Sequence, residues 1–254
     1  MIVGATGSGK TGVSIAIAKK IDGEVISADS RTIFKGMDVG TAKPSAAERE
    51  GVPHFGFDLV EPGERFTVKD WKDYAEGKIC EVEARGKVPM IVGGTGLYVD
   101  ALVFDYKFNV EGKAYDKNRG RCIKKLNEEY PDRKEMNGEY KIFGILWEPE
   151  ELRARLFERA NKMFNDELFE ETKKLVQEYG WECKAMTSNI YQFAWRYMQG
   201  ELSREEAVRL SAIDDWHLAK RQMTWFRRNK NILWVPLEKM EQVVVECIQN
   251  EQRK

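Results

Sequence analysis

The chain has 254 residues, of which 42% are hydrophobic and 33% charged, and its 41 Lys and Arg nearly balance 42 Asp and Glu for a formal net charge of −1. That balance excludes a uniformly basic polyanion binder, so any nucleic-acid surface has to come from local clusters of Lys and Arg. No apolar run approaches the roughly 20 residues of a membrane span, which leaves no membrane partner to expect.

The four cysteines stand at positions 80, 122, 183 and 247. None is spaced for a metal knuckle or a redox pair, so they read as reduced thiols. The N-terminus runs from Met-Ile-Val straight into a glycine-rich loop without a signal-peptide pattern. Together these features predict a soluble cytoplasmic protein.

In chain order, Ile2 and Val3 read as a short strand, residues 4–11 as a glycine-rich loop and residues 12–21 as a helix. Residues 24–28 form a short apolar strand that ends in Asp29. Residues 30–65, rich in Gly, Pro and charge, read as loops with short elements. Residues 68–85 carry Trp71, Tyr74, Ala75, Ile79 and Val82 near helical spacing, and Gly86 closes that helix. Residues 88–92 are a buried strand that enters Gly93-Gly-Thr-Gly96, and residues 97–103 are the next helix. A strand over 141–147, one long helical segment over 150–179, a basic-ended helix over 203–228, a strand over 232–235 and a final helix over 237–249 follow. The alternation predicts an α/β fold, a P-loop NTPase-like parallel sheet flanked by helices. Three parts are expected: the first part of a P-loop core at 1–104, a short polar insertion at 105–141, and a helical region with a strand returning to the core at 142–254. Ligands in such sheets bind beyond the carboxyl ends of the strands, which here carry residues 4–11, Asp29 with Ser30, and residues 93–96.

Gly4-Ala-Thr-Gly-Ser-Gly-Lys10-Thr11 fits the phosphate-binding pattern G-x-x-x-x-G-K-[ST] without a gap. Its glycines let backbone N–H groups converge on phosphate oxygens, and the following helix presents its positive end. Thr6, Gly7, Ser8, Gly9, Lys10 and Thr11 are therefore the expected diphosphate cradle, with the Thr11 hydroxyl a ligand for Mg²⁺. The loop specifies linked phosphates but not which bond breaks, so a kinase or NTPase stays open on this motif alone.

Behind the loop come Gly36-Met-Asp-Val-Gly-Thr-Ala-Lys-Pro44, Pro53-His54, Asp58, Gly93-Gly-Thr-Gly-Leu-Tyr98 and Ala219-Lys-Arg-Gln-Met-Thr-Trp-Phe-Arg227. This ordered set resembles the tRNA dimethylallyltransferase family, nearly without interruption over residues 1–104 and again from about 142 to 235. The resemblance implies transfer of a dimethylallyl group from dimethylallyl diphosphate to N6 of the adenosine just 3′ of the anticodon, with Mg²⁺, by a monomer that grips the anticodon stem-loop of tRNA. It implies that Asp29 is the general base, that Thr95 steadies the leaving diphosphate, and that Arg159 clamps it, with Arg155 the alternative by spacing. It places Asp29, Ser30, Arg31, Thr32, Arg121, Lys220, Arg221, Gln222, Thr224, Trp225 and Arg227 at the tRNA, with Gln222 and Trp225 beside a flipped-out base.

The chain departs from the family pattern at several points. The family's helical insertion is reduced to about 35 residues, its D-S-x-Q is Asp29-Ser-Arg-Thr32, its G-Y-[RK] is Ile190-Tyr-Gln192, and its Thr-Arg ahead of A-K-R-Q is Asp215-Trp216. Three further readings stay open beside tRNA prenyl transfer: prenyl transfer to a free adenine nucleotide, a P-loop kinase or NTPase, and a non-catalytic RNA-binding protein.

Overall fold

The computed structural model describes residues 1–108, 136, 140–187 and 189–252. Its centre is a six-stranded, wholly parallel sheet of order β3-β2-β4-β1-β5-β6. The strands are β1 (Ile2–Val3), β2 (Gly23–Ser27), β3 (His54–Phe55), β4 (Val88–Gly93), β5 (Ile142–Leu146) and β6 (Ile232–Pro236). The short β1 lies at the middle, with Ile2 paired to Val92 on one side and Phe143 on the other. Every residue of β1 and β2 is buried, as expected of inner parallel strands covered on both faces.

One face carries α1 (Lys10–Ile21) and the last helix, α8 (Leu237–Gln252). Their Ile15, Ile17, Met240 and Val244 meet Val25, Val92 and Ile145 in one apolar cluster. The other face carries α2 (Val68–Ala84) and α3 (Gly96–Val103), whose Trp71, Ala75, Tyr98 and Leu102 pack on Ile26 and Ile91. Thr67 and Asp70 start α2 with a reciprocal capping box.

Four helices form a separate cluster beside the sheet: α4 (Pro149–Met163), α5 (Asp166–Tyr179), α6 (Asn189–Met198) and α7 (Arg204–Phe226). The long helix expected over 150–179 is two helices. Asn165 breaks it, because its side chain accepts from the Leu168 N–H at 3.0 Å and so caps a new helix. A 3₁₀ turn at Lys184–Thr187 and the helix α6 were not anticipated. The expected insertion falls almost wholly outside the described residues, as does Arg121. Among the described residues no helix is long and apolar enough to cross a membrane.

Residues 36–44, a large part of the family resemblance, form a loop held by charge. Both oxygens of Glu171 in α5 accept backbone N–H groups: Oε2 from Asp38 and Val39 at 2.9 and 2.8 Å, and Oε1 from Gly40 at 2.9 Å. The Tyr191 hydroxyl donates to Glu171 Oε1 at 2.6 Å. Burial, with the Glu171 charge beside it, pushes the Tyr191 hydroxyl far above its ordinary range. Lys43, buried, donates to Asp38, Asp58 and the Phe34 carbonyl at 2.5, 2.6 and 3.0 Å. Glu171→Ala strips the acceptor from three successive N–H groups and from Tyr191. It is expected to lower stability by about 2 kcal/mol, read as a shift in the urea midpoint at unchanged slope, whereas Glu171→Gln loses less because it keeps one acceptor.

Candidate active site

The loops after β1, β2 and β4 emerge side by side because those three strands are neighbours in the sheet. Residues 4–11 follow β1. Gly9 adopts φ 90° at the N-cap of α1, a left-handed conformation that a residue with a Cβ resists, and it supplies no side chain to cap the helix. The start of α1 is thus left to backbone N–H groups that favour an anion. Lys10 folds back over the loop, its ammonium donating to the carbonyls of Gly4 and Ala5 at 3.0 and 2.6 Å. Burial pushes the Lys10 ammonium down to about 8; the Asp29 carboxylate opposes that shift and the Arg159 guanidinium adds to it. Those three charges therefore share one site.

Asp29 follows β2. Its Oδ1 accepts the Arg31 N–H at 2.8 Å, a short turn that fixes the carboxylate at the strand end. Thr95 follows β4 and stands at the N-cap of α3, yet its hydroxyl does not cap the helix. Instead Thr95 Oγ1 accepts the Ser30 N–H at 2.9 Å and ties the second loop to the third. The hydroxyl's own hydrogen is a donor in addition to that bond.

Arg159 reaches the cradle from α4. Its Nη1 donates to Thr6 Oγ1 at 3.0 Å and to Asp215 Oδ2 of α7 at 2.9 Å. Burial raises the Asp215 carboxyl above its ordinary range, with Arg159 opposing and Asp214 adding. Arg155, one turn earlier, donates to the Gly7 carbonyl at 2.6 Å and lies 5.4 Å over the Trp147 ring, while Trp147 Nε1 donates to the Ser8 carbonyl at 3.0 Å. Leu152 and Leu156 of α4 and Ala219 of α7 pack on Ala5, so both helices are seated against the loop. Ser8 is buried, and its hydroxyl has no hydrogen-bond partner. Thr11 is exposed at the first turn of α1. Among the described residues, no group of three or more His, Cys, Asp and Glu gathers as a metal cage.

Of the positions expected at the tRNA, Lys220, Arg221, Thr224 and Arg227 are exposed on α7 and its C-cap. His217, Lys220, Arg221, Thr224, Trp225 and Arg228 line a surface groove of about 510 Å³. Ser30 and Arg31 are half-buried at the end of β2. Thr32 corrects the sequence reading: it is buried, with its hydroxyl 3.1 Å from Ser27 Oγ, and so faces the core instead of an acceptor. Gln222 turns inward, its amide bonded to Thr6 and Gly94. Asp215 was noticed only as a departure from a pattern; its contact with Arg159 spans 56 positions and had no local signal.

The arrangement defines a P-loop α/β protein whose phosphate cradle is flanked by a carboxylate, a threonine hydroxyl and an arginine. An IPP transferase model matches residues 32–121 and 113–229, and an isopentenyl transferase model matches residues 1–55. A tRNA dimethylallyltransferase from Pelotomaculum thermopropionicum is 34% identical, over 94% of this chain and 90% of the relative. A crystal structure of the tRNA isopentenylpyrophosphate transferase of Bacillus halodurans superposes with a TM-score of 0.80 at 31% identity, covering 98% of this chain and 94% of that one. The Staphylococcus epidermidis tRNA isopentenylpyrophosphate transferase gives 0.79 at 30% identity, with 99% and 97% covered. The chain belongs to the tRNA dimethylallyltransferase (IPP transferase) family.

The lowered pKa of Lys10 has a consequence for diphosphate binding. An esterified diphosphate favours the protonated ammonium, and above pH 8 its terminal phosphate is already ionised, the last pKa of such an end group being about 6. Affinity for dimethylallyl diphosphate is therefore expected to fall as pH rises through about 8, with proton uptake on binding in that range. Isothermal titration in two buffers of different ionisation enthalpy checks both; a flat affinity up to pH 10 contradicts the burial of Lys10.

Proposed function

We propose that this chain transfers the dimethylallyl group of dimethylallyl diphosphate to N6 of the adenosine just 3′ of the anticodon in tRNA, releasing diphosphate. The observation that carries the reading is the convergence of the loops after β1, β2 and β4, which brings Asp29 and Thr95 to the glycine-rich loop that Lys10 and Arg159 contact. A cradle for linked phosphates with a carboxylate beside it suits displacement at the carbon attached to those phosphates.

In this reading residues 6–11 hold the diphosphate, with Lys10 and Arg159 as its cations. The adenine N6 lone pair forms a bond to C1 of the allyl group as the C1–O bond breaks. The electron pair of that bond leaves with the diphosphate, where Thr95, Lys10 and Arg159 meet the growing negative charge. Asp29 takes the proton that N6 sheds. Ser30 and Arg31 border the acceptor, and the exposed Lys220, Arg221, Thr224 and Arg227 meet the RNA backbone.

A Mg²⁺ ion fits this site as a companion of the donor. Thr11 offers one exposed hydroxyl at the first turn of α1, and Mg²⁺ at phosphate sites takes few protein ligands, filling its shell with phosphate oxygens and water. Bound there, it would neutralise charge on the leaving diphosphate. The anticodon stem-loop as the RNA element, action as a monomer and a cytoplasmic setting complete the proposal.

The protein, Mg²⁺ and dimethylallyl diphosphate are incubated with tRNA, with an anticodon stem-loop, and with AMP, and mass spectrometry reads which acceptor gains a C5 unit. Gain on the two RNAs is expected; gain on AMP alone, or release of phosphate from ATP without prenyl transfer, overturns the proposal. Asp29→Ala is expected to cut transfer by about 10²- to 10⁴-fold while leaving donor binding in place. Loss of donor binding in that variant removes Asp29 from the role of base.

A further inference from the structure

Helix α7 works on two sides. Its outer side carries the exposed Lys220, Arg221 and Thr224. On its inner side Gln222 joins the two glycine-rich loops. Gln222 Oε1 accepts the Thr6 N–H at 2.7 Å, and its Nε2 donates to the Gly94 carbonyl at 3.0 Å. A primary amide carries a donor and an acceptor a fixed distance apart, so one side chain can satisfy a group of each loop.

The surroundings close on this contact. A Cβ at Gly94 would lie 2.5 Å from Gln222 Nε2 and 3.2 Å from the Gly4 carbonyl oxygen. One at Gly96 would lie 2.2 Å from the Trp225 ring, whose Nε1 donates to the buried Asp100 of α3 at 2.9 Å. Both glycines that flank Thr95 thus serve to admit residues of α7. The helix holds the 93–96 loop from one side, while Thr95 ties it to Ser30 on the other.

We propose that Gln222 is a positioning residue for prenyl transfer: its amide sets the separation of the P-loop and the 93–96 loop, and through it the place of Thr95 against the leaving diphosphate. This rests on the prenyl-transfer reading above. It makes the Gln of the basic helix a member of the donor site instead of a contact to RNA.

Gln222→Ala, Gln222→Glu, Gly94→Ala and the double variant Gly94→Ala with Gln222→Ala separate the two roles. The anticodon stem-loop dissociation constant is read by fluorescence anisotropy, that of dimethylallyl diphosphate by calorimetry, and the transfer rate in a single turnover. For Gln222→Ala, RNA affinity is expected to stay within about twofold, donor affinity to weaken about tenfold and the transfer rate to fall about 10- to 100-fold. Gln222→Glu keeps the acceptor for Thr6 but sets an oxygen against the Gly94 carbonyl, and is expected to do no better than Ala. Gly94→Ala reaches the same loss from the other side of the contact, and the double variant is no slower than the worse single one because both disturb one interaction. Melting temperatures confirm that each variant is folded at the assay temperature.

Tenfold weaker RNA binding with donor affinity and rate unchanged would make Gln222 an RNA contact and overturn the proposal. Fully additive losses in the double variant would also overturn it. The donor and RNA constants need no turnover, so they test the loop contact even if the parent chain transfers nothing, an outcome that would sink only the proposed function.

Discussion

The site depends on holding two glycine-rich loops rigid although their own residues supply little rigidity. A backbone rich in glycine loses more conformational freedom on ordering than any other. Order is supplied here from outside the loops. Leu156 of α4 and Leu237 of α8 press on Gly7 and Gly9 from either side, and Gln222 and Trp225 of α7 close over Gly94 and Gly96. Removing side chains from the loops and lending them from three helices leaves the backbone N–H groups open to close approach without a slack backbone.

Charge is arranged by the same logic. Lys10 and Arg159 are like charges close enough to feel one another, and Asp29 and Asp215 stand beside them as counter-charges. The loop is therefore not a bare cationic pocket: Lys10 is held by carbonyls and Arg159 by Asp215. Arg159 already bonds Thr6 of the loop, so its guanidinium is aimed at the cradle and not at solvent.

What could be read in the sequence was what is local. The phosphate loop, the strands around it and the placement of Asp29 and Thr95 at strand ends follow from short spacings and from the period of apolar residues. The break at Asn165 was missed because one polar residue inside a long amphipathic run looks like an exposed helix position until its side chain is seen to cap. The partners of Thr32 and Gln222, Ser27 and the Thr6–Gly94 pair, are set by packing and were not legible in the sequence. Likewise the role of Asp215 appears only once α4 brings Arg159 against it.

The parallel sheet also fixes an order of assembly. β1 pairs with β5 some 140 positions away, and the amide joining Thr6 to Gln222 closes a separation of 216. Contacts so distant in sequence form late and slowly. During synthesis the glycine-rich loop is made about 200 residues ahead of the helix that braces it, so a nascent chain carries its most recognisable motif long before that motif has its final shape.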